Sequence, residues 1–523
     1  MRSIRRPASG RAASRSPGKL GYRQEGYQPA RRRRSIRGSI VRPARDRHEV
    51  GRRRAKPWRV ILAGAAIMGL LLPVAHSGAA AAAAADPGLR LVAYDGYSFK
   101  VPVGWRVVHL EQYQRACVRF DRHAIYLGTP SQNQVCPSRL LGTTEAMLVE
   151  PASGAAPSIS EWSAVRRQVN VVAHGIHITA TFKSHRGQID RILASAGLPR
   201  PVEDPPAVQQ TPWLPPAVTN YHGFGFDTCT APSRSVMQTW WNDTPYAAIG
   251  IYIGGSDAAC SQPNLTPAWL RNTTEQGWHF IPLYVGPQAA FGELSANSSA
   301  GQGTAAATDA AHQAQRLGFG PKSPIYYDME GYGLGQSTRV LRFLSAWSKR
   351  LHALGYSSGV YSSSSSGVAD LAQQYGRGVY TMPNVIYDAL WNGQPNTFDS
   401  VIGPGRWGNH RRLHQYLGNV TRTFGGITLN IDLDYMNVEL PIVLHTYKTV
   451  VTGLRVRSAP RSSASTVGVL GPAGASVAVD CWTLGTSVKG DSAWYHTRSP
   501  FKGYVAGFYL NTGRDPAAGV PRC

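Results

Sequence analysis

Eight short β signals recur between residues 219 and 442, and several of the gaps between them have the spacing of helices. The strand candidates are Gly223–Thr228, Ala248–Ile253, His279–Val285, Pro324–Met329, Ser358–Ser362, Val385–Trp391, Leu413–Leu417 and Ile427–Asp434. Thr266-Pro267 supplies an N-cap and a first-turn proline to a helix that ends at Gly277. Ala305–Leu317 and Val340–Leu354 are apolar-periodic, and each closes on a glycine, Gly318 and Gly355. This alternation predicts a central (β/α)8 TIM-like barrel over 219–442. A doubly wound open sheet is the alternative, but no glycine-rich phosphate loop follows the first strand.

The flanks have different textures, so the chain reads as multi-domain. Residues 89–200 alternate short β-rich stretches with Gly, Pro and Asp turns and end in the helical spacing of Gln188–Ser195, which predicts a small α+β domain. No cluster of chemical groups stands out there, and His174 and His177 read as surface or half-buried residues. A proline-rich stretch over 201–218 suits a semi-rigid linker. Short strands with Gly, Ser and Pro turns over 443–523 predict a small all-β barrel.

The net charge of +25 suggests nucleic-acid binding until it is located. Residues 1–59 hold 20 Lys and Arg against three acids, so most of the excess sits in a leader that reads as solvated and disordered. The apolar run Val60–Val74 and the small residues up to Ala85 make 60–85 a secretory signal or a retained signal anchor. A chain bound for export meets no chromosome, so no nucleic-acid partner is expected. Six cysteines fall into three local pairs, Cys117 with Cys136, Cys229 with Cys260, and Cys481 with Cys523, the pattern of disulfides in an oxidising compartment.

Active sites of β/α barrels lie at the C-terminal strand ends, so acids there are the ones to inspect. Asp227 closes the first strand, Asp328 and Glu330 the fourth, and Asp432 and Asp434 the eighth. Residues two apart on a strand share a face, so each pair should point to one side. Carboxylates crowded in one cleft raise at least one pKa, and glycosidic cleavage needs one carboxyl group that keeps its proton. Tyr252, Tyr284, Tyr326, Tyr361, Trp391 and Tyr416 fall on or near strand ends, where they either stack on sugars or fill the barrel.

The stretch 222–440 resembles the glycoside-hydrolase-like domain of secreted actinobacterial proteins, which is similar to family 25 glycoside hydrolases, the muramidase-type lysozymes. The resemblance is carried by Gly225-Phe-Asp227, Asp328-Met-Glu330, Gly359-Val-Tyr361, Gln415-Tyr416 and Ile431-Asp-Leu-Asp434. It implies that Glu330 is the general acid and Asp328 its partner, with Asp227 and Asp432 tuning the site. Asp434, Tyr252, Tyr284, Tyr361, Trp391, Gln415 and Tyr416 would contact substrate. Asp434 departs from the Asn usual in the lysozymes, and Gly331–Gly335 makes an unusual loop beside the acid. Leu454–Pro460 and Gly503–Ala506 resemble the opening and closing strands of a bacterial SH3 domain, a module that attaches lytic enzymes to peptidoglycan.

Together these readings predict a secreted, cell-wall-associated monomer that cleaves peptidoglycan or a related glycan by acid/base catalysis. The alternatives are a catalytically silent peptidoglycan-binding protein using the same cleft, or a membrane-anchored wall scaffold. No cofactor is expected, and no catalytic metal, because the acids come without a histidine-bearing ligand spacing.

Overall fold

The computed structural model describes residues 88–152, 158–173, 175–184, 186–203, 214 and 216–520. The basic leader, the apolar run, His174, most of the proline-rich stretch and Cys523 lie outside the described residues. Among the described residues, no helix is long and apolar enough to cross a membrane.

The centre of the chain is a closed eight-stranded barrel, but it is not the (β/α)8 barrel expected. The first seven strands, Tyr221–Asp227, Ala248–Gly254, His279–Tyr284, Pro324–Asp328, Ser357–Ser363, Val385–Ala389 and Arg411–Phe424, run parallel. The eighth, Ile427–Val438, runs antiparallel to both of its neighbours. Helices follow only the first five strands: Arg234–Asp243, Pro267–Gln276, Ser299–Leu317, Ser337–Ala353 and Gly367–Gln374. With one more in the N-terminal region, six α-helices are found among the described residues, and the barrel sheet is mixed.

The reason lies in the connections. Strands seven and eight are separated by only Gly425-Gly426, both at positive φ (54° and 75°). Two such residues close an antiparallel hairpin, whereas a parallel crossover needs a dozen or more. The segment between strands six and seven carries Gly393, Pro395, Gly403, Pro404, Gly405 and Gly408, a density that breaks any helix.

Elsewhere the local signals hold. Thr266 accepts a hydrogen bond from the Trp269 backbone N–H at 3.1 Å, and Gly277 takes the left-handed conformation that ends that helix. The long helices close at Gly318 and Gly355, both at positive φ. Strand alternation splits the core in two. On the fourth strand Ile325 and Tyr327 pack outward against the helices, where the Tyr327 ring meets Phe343 and Trp347. Tyr326 points into the barrel with Tyr361, Tyr387, Leu413 and Met436. Tyr326 needs Gly359 on the next strand, because a Cβ there would run into its ring.

Before the barrel, a seven-stranded mixed sheet runs in the order Arg106–His109, Ala124–Leu127, Ala146–Pro151, Ile176–Thr181, Gln168–Ala173, Ile159–Ser163, Val202–Glu203. The helix Gly187–Ser195 buries Ile189, Ile192 and Leu193 in the same core as this sheet and the hairpin Leu89–Tyr94/Tyr97–Pro102. His177 is half-buried, with Nδ1 3.2 Å from Glu150 Oε1. After the barrel, a six-stranded sheet spans His445 to Ala506 around Val456, Val479, Tyr495 and Val505. The disulfides Cys117–Cys136 and Cys229–Cys260 form as expected.

Candidate active site

Five carboxyl groups, Asp227, Asp328, Glu330, Asp432 and Asp434, are buried at the end of the barrel where the parallel strands finish. Register explains the meeting of three of them. Asp227 stands opposite Asp432 on the antiparallel eighth strand, and Gly225 stands opposite Asp434. Alternation then turns Asp227, Asp432 and Asp434 inward while Phe226 and Leu433 join the outer core. Gly250 on the second strand lies beside Asp227, and a Cβ there would collide with the aspartate side chain.

Asp227 is the hub of a hydrogen-bonded network. Its Oδ1 accepts from the Tyr252 hydroxyl (3.1 Å), and its Oδ2 accepts from Gln415 Nε2 (2.9 Å). The Tyr387 hydroxyl lies 3.0 Å from Asp227 Oδ2 and 2.6 Å from Asp434 Oδ1. One hydroxyl hydrogen cannot be given fully to both carboxylates, an arrangement that favours a proton on one of them. Burial and then the Asp432 charge push Asp227 up to about 8. Burial and then Asp227 push Asp434 well above the usual carboxylate range. Asp432 is raised as well, mainly by burial, and accepts from the Asn419 backbone N–H at 2.5 Å.

The fourth-strand acids are held differently. Gln288 braces the backbone: its Nε2 donates to the Asp328 carbonyl (2.7 Å) and its Oε1 accepts from the Glu330 N–H (3.0 Å). The side chains stay available, since Asp328 Oδ1 and Glu330 Oε1 are buried with no hydrogen-bond partner. Burial pushes Asp328 up to about 7, against the opposing pull of Arg139. Glu330 opens onto a cavity of about 540 Å³ whose walls include Arg139, Tyr361, Ser363, Ser365 and Trp391. Trp391 is half exposed and donates from Nε1 to Gln415 Oε1 at 3.0 Å, and the Tyr361 hydroxyl reaches the same oxygen at 3.0 Å.

Of the residues singled out from sequence, Tyr252, Tyr361, Trp391, Gln415 and Asp434 therefore meet the four catalytic candidates. Tyr284 and Tyr416 do not. Tyr284 is buried among the helices, its hydroxyl on Asp309 Oδ2 at 2.8 Å, and Tyr416 packs in the same outer core. Sequence reading missed Tyr387, although it sits on a strand where alternation could have placed it. It also missed Gln288, Ser363 and Ser365, which carry no local signal.

Arg139 was missed too, and it comes from outside the barrel. Its guanidinium pairs with Glu330 Oε2. Despite burial, which opposes charge, the fields of Tyr361, Asp328, Tyr252 and Asp432 raise it above the ordinary arginine value. Metal binding has no specific support in this site: the groups of three or more potential ligands among the described residues are Cys117, Cys136 and Cys260, and Asp480, Cys481 and His496. All four cysteines in them are disulfide-bonded.

Residues 238–436 match the family model for the Rv2525c-like, glycoside hydrolase-like domain. The chain carries a glycoside hydrolase-like domain. The match covers less than half of the chain and includes Asp328, Glu330, Asp432 and Asp434, while Asp227 lies just before it. No curated protein matches the chain. Among solved structures, similarity is found to an uncharacterized B. stearothermophilus protein (17% identity, 41% of this chain and 95% of that one, TM-score 0.30). The catalytic domain of endolysin ply40 from bacteriophage P40 of Listeria monocytogenes is similar at 14% identity (41% and 93%, TM-score 0.27). The modular autolysin LytC from Streptococcus pneumoniae is similar at 10% identity (54% and 59%, TM-score 0.29).

Proposed function

We propose that the barrel mouth cleaves a cell-wall glycan, peptidoglycan or a related polymer, by acid/base catalysis. The observation that carries this reading is Glu330 Oε1, a buried carboxylate oxygen with no hydrogen-bond partner, on a residue that lines a cavity with a half-exposed Trp391. In the proposed mechanism a sugar stacks on Trp391, with its hydroxyls toward Ser363 and Ser365. Glu330 delivers a proton to the glycosidic oxygen. As the C1–O bond breaks, its electrons leave with the protonated oxygen. Asp328 in its ionised form supports the positive charge on the ring, or positions a substituent of the sugar that attacks from the other face. Water then takes the anomeric carbon and returns a proton to Glu330. The hub around Asp227 keeps Tyr361 and Gln415 in place. Export to the wall is proposed on the leader and apolar run alone, and attachment there through residues 443–523 on their likeness to bacterial SH3 domains.

Digestion of purified cell wall, followed by the release of reducing ends, tests the reading. Wild type should release them and Glu330→Gln should not; equal release by the two proteins removes Glu330 from the mechanism. One observation favours a second reading, that the cleft holds glycan without cutting it. The guanidinium on Glu330 favours its charged form, and a charged carboxylate has no proton to give. Wall binding with no product from either protein would select that reading.

A further inference from the structure

Arg139 reaches the mouth from a segment that is built onto the barrel. The Cys117–Cys136 disulfide packs with Cys229 and Cys260 of the barrel in one buried cluster. Backbone bridges join Arg119 to Cys260 and Leu141 to Ala258. The Ser138 N–H donates to Asn430 Oδ1 at 2.5 Å, directly before Arg139, and Asn264 Nδ2 donates to the Gln132 carbonyl at 2.9 Å. Further along, Arg167 bridges Asp257 (3.2 Å) and Glu293 (2.7 Å) of the barrel. A segment held by this many contacts makes Arg139 part of the mouth.

Arg139 is the only cation among the described residues lining the cavity, and about a third of its side chain (34%) is exposed. The contact to Glu330 engages one of five donors arranged in a fork that matches a carboxylate. Tyr361, Trp391, Ser363 and Ser365 stand in the same cavity, so a sugar seated there brings its substituents to the guanidinium.

We propose that Arg139 is a glycan-binding residue that reads a carboxylate on the sugar, making the N-terminal region one wall of the site. The proposal rests on the glycan reading given above and narrows its substrate class to acidic glycans. The donors not engaged by Glu330 are the ones that would take the sugar carboxylate.

The test is calorimetric binding of three disaccharides to the full chain: neutral N,N′-diacetylchitobiose, N-acetylglucosaminyl-N-acetylmuramic acid, and a disaccharide containing glucuronic acid. Wild type should bind at least one acidic disaccharide ten-fold or more tighter than the neutral one, and the preferred acid identifies the carboxylate's source. Arg139→Gln should bind all three alike, at the affinity of the neutral sugar, and Arg139→Lys should recover part of the preference. Equal affinities in wild type, or a preference that survives in Arg139→Gln, would overturn the role of Arg139 while leaving the glycan reading in place. Absence of binding to all three by folded wild type would sink both.

Discussion

The two sides of the barrel mouth use the same residue type for different ends. On the side of strands one, seven and eight, Asp227 and Asp434 are tied to Tyr252, Tyr387 and Gln415, and burial favours their protonated forms. On the fourth-strand side, Asp328 and Glu330 are positioned through their backbone by Gln288, and each leaves a carboxylate oxygen unpartnered. A buried polar atom without a partner is costly, so its persistence beside a cavity marks where chemistry or a ligand is accommodated. The first group is the more fully tied, although Asp434 Oδ2 is also buried without a partner; what sets the fourth-strand side apart is that Glu330 lines the cavity. Burial of an acid is therefore a poor guide to its role, and access to the cavity is a better one.

The largest effect that would break this contrast is on turnover. Glu330→Gln should lower the rate of reducing-end release by about 10²–10⁴-fold, the span of a general acid, with the melting temperature little changed. A variant that melts far earlier would place Glu330 with the scaffold. Asp227→Ala should do the reverse in stability, costing about 3 kcal/mol in denaturant unfolding, because it strands buried hydroxyl and amide donors. If Asp227→Ala unfolds at the same denaturant concentration as wild type, the network is not a scaffold.

A smaller effect sharpens the comparison through pH. Asp227 and Asp328, raised by burial to about 8 and about 7, hold protons that an unfolded aspartate releases near pH 3.9. The folded state thus binds more protons across this window. Their contribution to stability is fully present below about pH 4 and is lost as pH rises through the folded values. Thermal melts from pH 4 to 9 should show a declining melting temperature, and Asp227→Asn should flatten the decline. A wild-type melting temperature that rises from pH 5 to 8 would contradict the buried, protonated hub. The mildest change is Trp391→Ala, which should weaken glycan binding about ten-fold, equivalent to about 1.4 kcal/mol, with little effect on folding because the ring is half exposed.

Much of this was legible in the chain itself. The eight strands and the helix ends at Gly277, Gly318 and Gly355 follow from local periodicity and capping, and they formed where the residues indicated. The acids at strand ends were legible for the same reason, since a period of two assigns a face as soon as the strand is placed. The shape of the barrel was also written there but misread: Gly425-Gly426 permits only a hairpin, and counting the residues between strands would have excluded eight β/α units.

By itself, then, the sequence determined the strands, the helix limits and the inward acids, because these depend on neighbours one to four residues away. Only the tertiary structure separated the aromatics that the sequence had grouped together: Tyr252 turns inward to the hub while Tyr284 turns outward to Asp309. It alone decided that Arg139, 191 residues before Glu330, sits on that carboxylate. Such a contact has no periodicity and no motif. It exists because a disulfide-braced segment packs over the barrel and brings one long cationic side chain to a buried negative charge.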